Sequence, residues 1–159
     1  MILVLLGTQP QPFTRLIKEI DNLSKNNKIE DDIIVQLGNT KYEFTSNKIK
    51  SFDFTSSVEI SKLIKDAKLV ITHGGVGSIV ASLKQEKRIL VVPRLAKYNE
   101  HTNDHQLDIT KYFLERKCIV ALIDEEDFYK KYCKAIDFEP KKYITNNDKM
   151  INIIKDFIK

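Results

Sequence analysis

Short apolar runs alternate along this chain with stretches of helical periodicity, and that alternation restricts its fold more than any other feature. Ile2 to Leu6, Ile33 to Leu37, Leu69 to Thr72, Arg88 to Val92 and Cys118 to Ile123 read as strands, and Ile49 to Phe54 as extended chain. Runs that are apolar at successive positions belong to strands covered on both faces, as in parallel sheets. Between them, Phe13, Leu16, Ile17, Ile20 and Leu23 fall at helical spacing, with Pro12 suited to the first turn. Ser56-Ser57-Val58-Glu59 reads as a capping box for a helix that buries Ile60, Leu63, Ile64 and Ala67. Ile79, Val80 and Leu83 form the buried face of the next helix. Asn103 with Gln106 caps one running to about Arg116, and Asp124 with Asp127 opens another. Thr145 to Asp148 resembles a final cap before a stripe of Met150, Ile151, Ile154, Phe157 and Ile158. That stripe fits packing on the chain's own sheet and docking to a partner equally well.

The expected class is therefore α/β: a Rossmann-like, mostly parallel sheet with helices on both faces. Its 159 residues suit one domain, residues 1–159, with 145–159 as a C-terminal helix. Ligands of such sheets bind beyond the carboxyl ends of the strands. Gly7-Thr8, the Gly38 turn, the loop at His73 and the loop after Pro93 all follow strands, so they are expected to converge.

Composition narrows the function classes. Apolar residues make up 42% and charged residues 30%, with a net charge of +4 spread along the chain. That balance admits an acidic ligand without demanding nucleic acid, and no nucleic-acid partner is expected. Cys118 and Cys133 lack metal-ligand spacing and read as reduced thiols of a cytoplasmic protein. Ile2 to Leu6 is too short to span a bilayer and has no charged segment before it.

The run Lys68 to Ile79, KLVITHGGVGSI, carries the clearest chemistry. A strand ending in glycines at a helix start offers unpaired amides, a favourable dipole and close backbone approach, which together suit a phosphate. The same glycines also serve a plain structural turn. Gly75-x-Gly77-x-x-Val80 lacks the third glycine of the dinucleotide fingerprint. Gly75-Val-Gly-Ser-Ile79 is not a nucleophile elbow, so Ser78 reads as a phosphate contact rather than a nucleophile. His73 reads either as a histidine that positions its loop or as one beside the ligand.

Lys97 to Gln106, KYNEHTNDHQ, is a second polar cluster on the same side. Its groups suit sugar hydroxyls, and they equally suit a solvated loop before a capped helix. A metal set of His73, His101, Asp104 and His105 is disfavoured, because His101 precedes the regular turns of the helix.

Three segments in this order resemble a known family. They are Gly7-Thr8 with Pro12-Phe13-x-Arg15-Leu16-Ile17, then Thr72-His-Gly-Gly-x-Gly-Ser-Ile79, then Val91-Val-Pro-Arg94 with Glu100-His-x-x-Asp-His-Gln106. The chain resembles the small donor-binding subunits of two-part glycosyltransferases, the Alg13-like and PssE-like proteins. It is also similar to the C-terminal half of MurG-type family 28 enzymes. The resemblance implies the donor-binding half of a GT-B enzyme, with a UDP-sugar donor and neither metal nor cofactor. It also implies a lipid-linked saccharide acceptor in polysaccharide biosynthesis. The partner would be an Alg14-like or PssD-like membrane-bound subunit that holds this chain at the cytoplasmic face of the membrane. Hexose and N-acetylhexosamine both remain open as the transferred sugar.

By the family pattern Gly74, Gly75, Gly77 and Ser78 lie at the diphosphate. Glu100, His101, Asp104, His105 and Gln106 lie near the sugar or nucleotide. Gly7, Thr8, His73 and Arg94 complete the expected donor site. The general base is expected in the partner, with His73 as the candidate on this chain. The pattern departs at Ala81, where relatives carry a glutamate able to take both ribose hydroxyls, and at Gln9-Pro10 in the first loop. A non-catalytic stabilising subunit is the alternative reading.

Overall fold

The computed structural model describes residues 1–123 and 126–144. Its strands are β1 (Ile2–Leu5), β2 (Ile33–Gln36), β3 (Ile49–Phe52), β4 (Leu69–Thr72), β5 (Arg88–Val91) and β6 (Val120–Ala121). They form one sheet in the order β3-β2-β1-β4-β5-β6, with every pairing parallel. Ile2 of β1 stands opposite Ile33 on one side and Leu69 on the other. The order reverses between β1 and β4, so the crevice beyond Leu5 and Thr72 is the switch point where ligands of open α/β sheets sit.

The helices are α1 (Thr14–Lys25), α2 (Ser57–Asp66), α3 (Val76–Lys84), α4 (His105–Glu115) and α5 (Phe128–Asp137). α1 and α5 cover one face, packing Leu16, Ile17, Ile20, Phe128 and Tyr132 against Ile2, Val4, Ile71, Leu90 and Val120. The other face is divided. Ile79, Leu83 and Phe113 of α3 and α4 meet Ile89, Val91 and Ala121, while Ile64 of α2 meets Leu3, Leu5 and Val70. Successive residues of β1 thus enter opposite cores, which is why its run is apolar throughout. No helix of the described residues is long and apolar enough to cross a membrane.

Several boundaries differ from the sequence reading. α1 starts at Thr14, leaving Pro12 outside its first turn. Phe13 is the cap residue; its amide donates to Thr40 Oγ1 (3.0 Å) and its ring is fully buried. Of the α2 face, Ile64 and Ala67 are buried while Ile60 and Leu63 are only partly covered, because α2 has a single small cluster beneath it. β6 is two residues rather than six. α4 is not capped by Asn103 with Gln106. Asp104 stands at its N-cap without a side-chain cap bond, Asn103 Oδ1 accepts from His105 N (3.1 Å), and Gln106 is drawn inward. The cap at Ser56 forms as expected, and α5 is capped by Asp127, whose side chain accepts from Lys130 N (3.0 Å). Asp124, the cap at 145–148 and the stripe at 150–158 lie outside the described residues.

Candidate functional site

The loops at the carboxyl ends of β1, β2, β4 and β5 do converge. Asn39 Nδ2 donates to the Thr8 and Gln9 carbonyls (3.1 Å each), tying the loop after β2 to the loop after β1. Gly7 has φ +76°, a value glycine adopts readily. The His73 ring lies beside it: a β-carbon on Gly7 would stand 2.6 Å from His73 Nε2, and one on Gly75 would collide with the same atom. Two glycines from different loops therefore hold one imidazole. Gly74 serves packing in the same way, since a β-carbon there would stand 2.6 Å from the Gln106 carbonyl oxygen.

α3 begins at Val76 with Gly75 as its cap residue and no side-chain cap bond. The first amide paired along the helix is that of Ile79, which donates to the Gly75 carbonyl (3.2 Å). The amides of Val76, Gly77 and Ser78 are left without a protein acceptor among the described residues, as expected for a helix start. Gly77 is exposed and a β-carbon there would meet nothing within 4 Å. Three unpaired N–H groups and the helix dipole thus face open space at the switch point, the arrangement that attracts an anion.

Gln106 is buried, and its Oε1 accepts from Gly74 N (3.0 Å) and Arg94 N (3.1 Å). Two amide donors on one oxygen fix the carboxamide orientation. Nε2, with both its hydrogens, has no acceptor within the described residues.

Arg94 is also buried. Its guanidinium donates to the carbonyls of Gln11 (2.6 Å), Glu100 (3.1 Å) and Leu6 (2.8 Å), and lies 4.8 Å from the Phe13 ring centre. Burial pulls it down to about 10, with Glu100 opposing. Arg94 is a clasp between two loops and remains a cation at neutral pH.

The family pattern places Glu100 near the sugar or nucleotide; in the structure its carboxylate is buried and turned toward Arg15. Oε1 and Oε2 accept from Arg15 Nε and Nη2 (2.9 Å each), and Oε2 also accepts from Leu95 N (3.2 Å). Arg15 further donates to the Pro93 carbonyl (3.2 Å) and stacks on Tyr98 at 4.9 Å. The pair fastens the 93–100 loop to α1. Sequence reasoning noticed Arg15 only as part of a motif; an ion pair spanning 85 positions leaves no local signal.

The remaining residues are less enclosed. Thr8 is exposed, and Ser78 is half-buried in the first turn of α3. Asp104 Oδ1 accepts from Ala96 N (2.9 Å), and His101 Nδ1 accepts from Asn103 N (3.2 Å). His105 is exposed and stands 4.0 Å from Asp108 of its own helix. His101 precedes α4, so it and His105 do not share a helix face, and no group of metal-ligating side chains forms among the described residues. Phe54 and Val76, both about half exposed, leave apolar surface at the carboxyl ends of the strands. An aromatic just past a strand end was the available signal for Phe54. Ala81 packs toward Leu3, Leu5 and Val70, so no carboxylate occupies that position.

Comparison with known proteins agrees with this fold. The chain is 28% identical over 120 residues to the UDP-N-acetylglucosamine transferase subunit ALG13 of Debaryomyces hansenii, covering 72% of this chain and 57% of that protein. It therefore spans little more than half the length of that relative. Its fold matches the solution structure of ALG13 with a TM-score of 0.60 at 19% identity, over 96% of this chain and 93% of that one. It also matches a glycosyltransferase of kitacinnamycin (TM-score 0.62, 13% identity), over 84% of this chain and 33% of the larger enzyme. The model of the glycosyltransferase family 28 C-terminal domain matches residues 1–159, and the chain belongs to that family.

Proposed function

We propose that this chain is the donor-binding half of a UDP-sugar-dependent glycosyltransferase that needs no metal. The observation that carries this reading is the open first turn of α3, whose Val76, Gly77 and Ser78 amides lack protein acceptors at the switch point of the sheet. A diphosphate supplies the acceptors they lack. When the glycosidic bond to the donor breaks, negative charge grows on the departing UDP. Fixed amides and the helix dipole stabilise that charge without a cation. Gln106 Nε2, held by its own carbonyl, is suited to a hydroxyl or phosphate oxygen entering beside Gly74. Arg94, Arg15 and Glu100 keep the loop that carries this group in place. The name of the ALG13 relative makes UDP-N-acetylglucosamine the first donor to test.

The acceptor side, with the base that activates its hydroxyl, belongs to a second half. A membrane-bound, Alg14-like or PssD-like subunit carrying a lipid-linked saccharide fits that role. Titration calorimetry with UDP, with and without EDTA, tests the donor reading. Binding that survives the chelator is expected; binding that disappears with it would overturn the metal-free mechanism.

A further inference from the structure

We propose that His73 takes up a proton at Nε2 when a diphosphate enters the cradle, so that ligand and proton bind together. The proposal rests on the donor-binding reading above and concerns how that site is tuned. His73 Nδ1 stands 3.3 Å from the Leu5 carbonyl oxygen and 3.3 Å from Thr72 Oγ1. Thr72 Oγ1 itself donates to the same carbonyl (3.3 Å). A carbonyl only accepts, so in the tautomer that bonds Nδ1 to Leu5 the ring hydrogen sits on Nδ1 and Nε2 is a bare lone pair; this is the tautomer we assign, with the Thr72 hydroxyl donating to the carbonyl rather than to the ring. The ring's hydrogen bonds among the described residues are both at Nδ1, leaving Nε2 without a partner there, although the residue is only 8% exposed. It lies between Gly7 and Gly75, and Gly75 caps α3. The lone pair is therefore held at the edge of the space that the three free amides make attractive to an anion.

A lone pair facing an anionic oxygen is repulsive, whereas a protonated Nε2 makes a short, charge-assisted bond to the same oxygen. Burial pulls the resting imidazole down to about 4; the Leu5 carbonyl opposes this, and Arg94 and His101 add to it. Those two side chains are the ionisable groups acting on the ring. The contacts from β1 and α3, Leu5, Gly7 and Gly75, carry none. Two negative charges in the cradle reverse the balance and favour the cation. The proton comes from solvent on binding and returns when the ligand leaves, with no covalent bond made or broken. Affinity should therefore fall about tenfold per pH unit from the resting value up to the value in the complex, and level off above it.

UDP-N-acetylglucosamine is the suitable probe, because its diphosphate is a diester with no proton of its own near neutrality. Calorimetry at pH ~6 in buffers of different ionisation enthalpy should show uptake of about one proton per ligand. Nitrogen NMR of the wild-type ring should show Nε2 bare without ligand and protonated with it. The H73Q variant, a permanent neutral donor, should bind with no proton uptake; the wild-type spectra decide the matter if that variant fails to fold. Binding without proton uptake, or with Nε2 unchanged, would overturn the proposal and leave the donor reading standing. Failure of both UDP-N-acetylglucosamine and UDP to bind would overturn the two together.

Discussion

A β-carbon on Gly75 would collide with the His73 ring, whereas one on Gly77 meets nothing within 4 Å. These two glycines therefore separate fold from function. Gly75→Ala forces the imidazole or the backbone to move, and should lower stability by about 1–3 kcal/mol, read from urea unfolding. Gly77→Val projects its side chain into open space before the free amides. Its melting temperature should stay near the wild-type value while UDP affinity falls at least ~10-fold, about 1.4 kcal/mol by calorimetry. Unchanged UDP affinity in a folded Gly77→Val protein would return the loop to a plain turn.

Two buried carboxylates decide how the loops attach to α1. Asp21 of α1 accepts from Tyr42 Oη (3.1 Å), Thr45 N (3.0 and 3.1 Å), Thr45 Oγ1 (2.9 Å) and Ser46 N (2.9 Å), holding the segment between β2 and β3. Burial alone would raise its carboxyl, but the bonds from Thr45, Ser46 and Tyr42 prevail and hold it below the ordinary carboxylate value. A depressed folded value contributes stability above the unfolded value, and that contribution is lost as pH falls through the folded one. Asp21→Asn should thus destabilise the protein at neutral pH by about 1–3 kcal/mol and flatten the acid limb of its stability profile. The Arg15–Glu100 pair acts similarly on the 93–100 loop. Arg15 is partly exposed and Glu100 nearly buried, so Arg15→Ala leaves an uncompensated inner charge. A loss of about 2–3 kcal/mol is expected, smaller than for a fully buried pair because solvent reaches the arginine. The Arg15→Ala, Glu100→Gln double variant should recover part of it. Additive single and double losses in urea unfolding would deny the coupling.

On the scale of the whole molecule, the first turn of α3 is open at Gly77, where a β-carbon would meet nothing within 4 Å. A groove of about 540 Å³ does exist, but it runs between α1 and the start of α5, lined by Leu16, Leu23, Leu122 and Phe128 among others. A site that forms only one wall needs another domain to exclude water and present the acceptor. The isolated chain should therefore bind donor yet show little transfer to a lipid-linked acceptor. Transfer should appear when a membrane-bound partner subunit is added, measured as label incorporated from the UDP-sugar. Robust transfer by the purified chain alone would defeat the half-enzyme reading.

Local chemistry made much of this protein legible in its sequence. β4 ends at Thr72 as its apolar run does, α2 starts where Ser56 accepts from Glu59 N, and α3 opens at the glycines. These features depend on neighbours within a turn or a few strand residues, so residue order alone determines them. The tertiary fold decided which polar groups face outward. Gln106 could cap its own helix or reach Gly74, 32 positions away, and a shared oxygen between two buried amides prevailed. Glu100 could meet solvent or Arg15, and Arg94 could meet a ligand or the Leu6 carbonyl 88 positions away. Each alternative is locally comparable in energy. The difference comes from the cost of leaving a buried donor or charge unpaired, and that cost exists only once the sheet has brought the distant loops together.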